Sequence, residues 1–147
     1  MVALTYRETL HGGFYLLADP VDERPADFDL HVDVPRLSRF VPSLTATLSG
    51  KVRLEGFAES SPATGKLILV PDQRRAIYEL SFAGTDGATY RFRGQKEFLV
   101  LNPADALTLL QGSVYDEGAR EVGRAVLRFD ARGNLGSLLR SIRLRWA

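Results

Sequence analysis

Hydrophobic and polar residues alternate with a period of two along most of this chain. In the segment FDLHVDV, residues 28–34, apolar side chains take every even position and aspartate or histidine takes every odd one. The segment TATLSGKVRLEG, residues 45–56, shows a similar alternation. A strand with one face against a core and the other face in water has this period. The pattern therefore predicts β-strands and not amphipathic helices.

About ten segments have this character, and turn sequences such as AGTDGAT and YDEGAR separate several of them. The predicted strands lie near residues 3–10, 13–18, 28–34, 45–56, 64–70, 75–83, 88–100, 107–115, 120–129 and 141–146. Short strands joined by tight turns pair antiparallel, and the glycines within them let a sheet bend strongly. We predict an all-β single domain spanning residues 1–147, either a lipocalin-like antiparallel barrel or a strongly curved sheet.

The AGTDGAT turn fixes the pairing of the two strands beside it. A two-residue loop would place Phe82 opposite an arginine, whereas the three-residue loop 85–87 places it opposite Tyr90 and keeps the apolar face intact. This register also places Ala76 opposite Lys96. Away from the strands, two short helices are predicted near residues 35–42 and 135–139, where the alternation stops.

Two charged residues fall on faces that are otherwise apolar. Lys96 shares its face with Tyr90 and two phenylalanines, and Glu8 shares its face with Tyr6 and two leucines. Because a lone buried charge is strongly penalised, such groups are normally paired. We predict that Glu8 and Lys96 meet inside the barrel, with Tyr6, Tyr78 or Tyr90 hydrogen-bonded to them.

Other arrangements of these two charges remain open. Glu8 and Lys96 can form a purely structural ion pair, or Lys96 can extend past Ala76 to the barrel rim. A bulge at Gly94 would turn Lys96 to solvent and remove the anomaly altogether.

Composition narrows the function classes. The chain has no cysteine, so disulfides and thiolate chemistry are excluded, and its net charge of +1 argues against nucleic acid as a partner. The two histidines have no metal-ligand spacing, and no phosphate-loop motif occurs, so we predict no metal and no cofactor. No apolar run is long enough for a membrane helix or a secretion signal. We therefore expect a soluble, cytoplasmic protein without a membrane span, and leave its oligomeric state open.

Part of the pattern resembles the small β-rich accessory domain found with GMC-type, cholesterol-oxidase-like bacterial oxidoreductases. The likeness rests on Tyr6, Glu8, Leu10 and Gly12, and on Tyr78, Leu80, Phe82, Gly87, Gly94 and Lys96. The resemblance implies a barrel that accompanies enzymes of hydrophobic substrates. It does not imply the oxidase itself, because the flavin-binding glycine fingerprint is missing.

These observations favour a noncatalytic module that binds a small lipophilic ligand with an acidic or hydroxyl group. The ligand-binding residues would be Lys96 at the polar end, Glu8 beside it, and Tyr6, Tyr78 and Tyr90 around them. Two alternatives remain: an isomerase or cyclase that uses the cavity, with Glu8 or Lys96 as acid or base, and a structural or interaction domain. An acidic protein partner is a further prediction, since Arg140, Arg143 and Arg145 lie on one outward row near residue 147, with a merely solvated row as the alternative.

Overall fold

The computed structural model describes residues 2–34, 44–70, 73, 75–97, 107–130 and 143–146. These residues form nine β-strands. The strands are β1 (Val2–Leu16), β2 (Asp19–Val34), β3 (Leu44–Leu54), β4 (Ala58–Val70), β5 (Arg75–Ala83), β6 (Thr89–Glu97), β7 (Leu107–Tyr115), β8 (Glu121–Asp130) and β9 (Arg143–Trp146).

The first eight strands close into an antiparallel barrel. Each strand from β1 to β8 pairs with its neighbour in sequence, and β8 pairs back with β1. Strand β1 is long enough to serve two partners on one edge: its residues 11–16 pair with β8 and its residues 2–5 pair with β9. The prediction of an all-β antiparallel barrel is confirmed, and closure decides against an open curved sheet.

The strands are staggered by ten residues around the barrel. The stagger is found by starting at Leu16 of β1 and moving from each residue to its paired residue on the next strand. After one turn around the barrel this path returns to β1 at Tyr6, ten residues from its start. The path passes through Gly123, Val114, Phe92, Leu80, Gly65, Leu48 and Val32. For a given number of strands a larger stagger means a larger tilt and a wider barrel. The interior is therefore wider than in an eight-strand barrel with a stagger of about eight.

The predicted count of about ten strands was wrong, since eight strands make the barrel and β9 adds a short ninth. Segments 3–10 and 13–18 are one strand because Gly12 lets β1 lie close to β8; a Cβ atom there would stand 1.9 Å from the carbonyl oxygen of Val126. Strand β2 begins at Asp19, well before the predicted start at residue 28. The prediction missed this first part because its residues are exposed and show no alternation of apolar and polar side chains.

The two predicted helices lie outside the described residues. Within the part of the chain that the structure describes, no helix is long and apolar enough to cross a membrane.

The two ends of the barrel differ. At one end, which we call the turn end, short connections join β1 to β2, β3 to β4, β5 to β6 and β7 to β8. Aromatic rings cover the interior there: Phe57 lies between Phe14 and Tyr90, with ring centroids 6.4 and 4.6 Å away, and Tyr90 stacks on Phe82. The opposite end carries Lys96, and we call it the Lys96 end.

The β5–β6 hairpin has the register predicted from keeping apolar residues on one face. Phe82 pairs with Tyr90 and Ala76 pairs with Lys96, without any shift between them. Gly87 closes the loop with a φ of 82°, and its N–H donates to the carbonyl oxygen of Gly84 at 3.0 Å. Such a positive φ favours glycine, which explains the sequence of the turn.

Gly94 makes room for an aromatic ring and does not form a bulge. It pairs with Gly112 on β7, and the ring of Phe92 lies over both glycines. From this position Phe92 meets Phe28 of β2 edge to face, with ring centroids 5.0 Å apart. Since β2 and β6 are four strands apart around the barrel, this contact fills the interior from one side to the other.

We expect Gly94→Ala to destabilise the protein. A Cβ atom at Gly94 would stand 2.7 Å from the Phe92 ring and 2.9 Å from the carbonyl oxygen of Gln111, so the ring or the strand must move. The free energy of unfolding, measured by urea denaturation, should fall by about 1–3 kcal/mol.

Gly118→Ala is the matched control, because Gly118 is exposed in the β7–β8 turn and a Cβ atom there would meet only a side-chain oxygen at 3.4 Å. This variant should stay within about 0.5 kcal/mol of the wild type. Similar losses in both variants would contradict the packing role of Gly94.

Candidate ligand-binding site

Glu8 reaches across the interior of the barrel. It lies on β1, and its partner Tyr78 lies on β5, four strands away in either direction around the eight. The hydroxyl of Tyr78 donates a hydrogen bond of 2.6 Å to Oε1 of Glu8, and both residues are buried. This bond therefore ties opposite walls of the barrel together.

Lys96 completes the cluster on the same carboxylate oxygen. Its Nζ atom lies 3.2 Å from Oε1 of Glu8, and the two side chains are 12% and 6% exposed. The ammonium also lies 5.4 Å from the ring centroid of Tyr78 and 5.8 Å from that of Phe129. A carboxylate and two aromatic faces thus compensate the charge of Lys96. The predicted meeting of Glu8 and Lys96 inside the barrel is present in the structure.

The tyrosines of this cluster hold their protons firmly. Burial raises the pKa of Tyr78 well above its usual value, and the negative charge of Glu8 and its hydrogen bond raise it further. Burial also raises the pKa of Tyr6, two residues from Glu8 on the same inward row, and Glu8 adds to this effect. At neutral pH both phenols are therefore hydrogen-bond donors and not bases.

Tyr90 does not belong to this cluster. It lies at the turn end, where its hydroxyl donates to Oδ2 of Asp86 and its ring packs on Phe57 and Phe82. The hydrogen bond to Asp86 raises the pKa of Tyr90 to about 12. Of the five residues predicted to bind a ligand, four therefore come together and Tyr90 serves the aromatic cover of the opposite end.

Some apolar side chains at the Lys96 end are only partly buried, and so are Phe57 and Tyr90 at the turn end. Leu10, Leu30 and Leu48 are wholly inaccessible, whereas Tyr6, Leu69 and Phe129 pack on the core and are only half-buried. Sequence reasoning did not single out Phe129, although it continues the inward row of Ala125 and Leu127 on β8. The Lys96 end thus combines a polar cluster with partly buried apolar side chains.

The aspartates on the outer face of β2 form a surface network. Asp29 pairs with Arg7, and Asp27 pairs with both His11 and Arg53. These contacts lie on the exposed face of the strand, and the register with β1 and β3 supplies the basic partners. Among the described residues, no group of three or more histidine or acidic side chains could hold a metal ion.

Comparison of the chain with protein-family models, with curated proteins and with solved structures finds no match. The resemblance to accessory domains of GMC-type oxidoreductases stays a prediction.

We expect Glu8→Gln to destabilise the protein, because it leaves the ammonium of Lys96 buried without its carboxylate. The free energy of unfolding should fall by about 3 kcal/mol. The double variant Glu8→Gln/Lys96→Met removes the uncompensated charge as well, so it should return to within about 1 kcal/mol of the wild type. Urea denaturation at neutral pH measures both effects.

Asp29→Asn is the control, since the Asp29–Arg7 pair is exposed and should contribute less than about 1 kcal/mol. A double variant that is no more stable than Glu8→Gln alone would show that the two side chains are not coupled.

The raised pKa of Tyr78 should make stability fall at high pH. Unfolded tyrosine loses its proton near pH ~10, whereas folded Tyr78 keeps it to higher pH. Its contribution is therefore complete below about pH 10 and is lost as pH rises toward the folded pKa. The free energy of unfolding should decline between about pH 10 and pH 11 less steeply in Tyr78→Phe than in the wild type. Equal slopes would contradict a raised pKa at Tyr78.

Proposed function

We propose that this barrel is a noncatalytic binding module for a small lipophilic molecule with a hydroxyl group. One observation carries the proposal: Glu8, Tyr78 and Lys96 form an inward polar cluster at the barrel end where Tyr6, Leu69 and Phe129 are partly buried. Binding sites for such ligands combine an apolar wall with a few placed polar groups. The cluster would hold the polar end of the ligand.

The charge of the cluster favours a hydroxyl over a carboxylate. Glu8 and Lys96 neutralise each other at 3.2 Å, so the cluster has no net charge. A ligand carboxylate would add an uncompensated negative charge close to Glu8 in a poorly solvated place, which is costly. A hydroxyl can donate to the carboxylate of Glu8 and accept from the ammonium of Lys96 at once.

The apolar part of the ligand would contact the half-buried side chains around the cluster. Tyr6, Leu69 and Phe129 come from three different strands, β1, β4 and β8. The deeper interior is occupied by the protein's own side chains, among them Phe28 and Phe92. The ligand would therefore lie at the Lys96 end and not along the whole length of the barrel.

A role accessory to lipid or sterol metabolism accords with such a ligand and with the resemblance to domains that accompany sterol oxidases. An isomerase or cyclase would need a proton acceptor, and the carboxylate of Glu8 would be that acceptor. In the binding role the same carboxylate accepts a hydrogen bond from the ligand and takes no proton. A structural domain would keep the same cluster but bind nothing.

The test compares an alcohol with the acid of the same chain length. Native mass spectrometry of gently purified protein should show a co-purifying lipophilic molecule. After its removal, dodecanol should raise the melting temperature and dodecanoic acid should do so much less, because only the alcohol leaves the cluster neutral. Failure of both to bind, together with an empty purified protein, would contradict the proposal. Preference for the acid would contradict the assignment of a hydroxyl.

Lys96→Met tests the residue that orients the ligand. Loss of a hydrogen bond from a charged donor should weaken dodecanol binding by about tenfold or more in isothermal titration calorimetry. Lys66→Met is the matched control, since Lys66 is an exposed lysine on the outer face of β4 and should leave the affinity unchanged. A stable Lys96→Met variant with unchanged affinity would exclude Lys96 from the site. Chromatography of recovered ligand would separate the enzymatic alternative, because only an enzyme returns an altered molecule.

A further inference from the structure

A polar groove crosses the outer face of strands β4 to β7. Its volume is about 550 Å³, and its floor is the main chain of Gly65, Leu80 and Phe92, which are paired in one row. The side chains of Leu80 and Phe92 are buried in the core, and Gly65 has none. The walls are the outward residues on either side of this row. A cavity of this size suits a small molecule.

Positive charge dominates both walls. One wall contains Lys66, Glu79 and Arg93, which are neighbours across three strands, and the other contains Ser81, Arg91 and Tyr115, which are neighbours in the same way. Three cations therefore face a single carboxylate, which gives the groove a formal charge of +2.

The basic side chains of the groove have hydrogen-bond donors available for a ligand. Lys66 and Arg93 each approach Glu79 only to 3.8 Å, which is longer than a hydrogen bond. The side chain of Arg91 forms no hydrogen bond or ion pair with another residue in the described part of the chain. Since Arg91 and Arg93 are two residues apart on one face of β6, their side chains can reach the same anion.

We propose that this groove binds the phosphate of a small, water-soluble phosphate monoester. The net charge of +2 matches the two negative charges of the phosphate, and arginine forms paired hydrogen bonds with phosphate oxygens. Glu79 repels the phosphate group itself. It accepts a hydrogen bond from a hydroxyl on the neighbouring part of the ligand. Ser81 and Tyr115 add hydroxyl donors to the opposite wall.

The surroundings of the groove favour a free phosphate ester over a lipid headgroup. Binding to a membrane surface usually adds apolar side chains that enter the lipid. The exposed large hydrophobic residues of the described chain are Leu17, Val21, Leu109 and Val126, and none of them lines the groove.

The experiment titrates the protein with glycerol 3-phosphate at constant ionic strength, followed by amide chemical shifts and calorimetry. Saturable shifts should centre on residues 65, 80 and 91–93. Arg91→Gln should weaken binding by about tenfold or more, and Glu79→Gln should strengthen it because the repelling carboxylate is gone. No saturable binding, or shifts spread over the whole barrel, would overturn the proposal.

Arg128→Gln is the matched control, because Arg128 is an exposed arginine on the outer face of β8, away from the groove. An equal loss in Arg91→Gln and Arg128→Gln would show general charge attraction and no site. Sedimentation with phosphatidylcholine vesicles that contain phosphatidic acid separates the two phosphate sources. Binding to these vesicles without binding of glycerol 3-phosphate would overturn the assignment to a soluble ester. Lys96→Met should leave the groove unaffected, which separates it from the interior site.

Discussion

Closure of eight strands with a stagger of ten residues decides which side chains meet inside this protein. In a closed barrel each strand faces the strand four positions away, so β1 faces β5 and β2 faces β6. Glu8 thereby reaches Tyr78, and Phe28 reaches Phe92. One contact is polar and the other apolar, and both connect opposite walls. The stagger sets the width that these side chains must fill.

The two barrel ends use different means to complete the interior. At the turn end, short connections and four aromatic rings cover the core. At the Lys96 end, an ion pair and a buried phenol take the place of further apolar packing. A buried ion pair is seldom more stabilising than well-packed apolar residues of similar volume. Stability alone therefore does not explain a polar cluster in such a position.

Strand β6 contributes residues to both proposed sites, one on each of its faces. Its inward face presents Lys96 to the polar cluster, and its outward face presents Arg91 and Arg93 to the groove. The alternation of the strand keeps these sites apart, because successive side chains point to opposite sides of the sheet. Gly94 lies between them in sequence and supports neither site directly. Its lack of a side chain leaves space for Phe92 and keeps the ladder regular through Lys96.

The strand character, the β5–β6 register and the inward direction of Glu8 and Lys96 could be predicted from the sequence, because they depend on a period of two and on the chemistry of one turn. The sequence did not determine the number of strands: the start of β2 is polar on both faces, and Gly12 continues β1 where a break was expected. The closed barrel, and not the alternation, places Glu8 opposite Tyr78, Tyr90 at the other end, and the ring of Phe129 over Lys96. The alternation along a strand gives the face on which a side chain lies. The stagger of the closed barrel gives its position along the barrel axis and its partner across the interior.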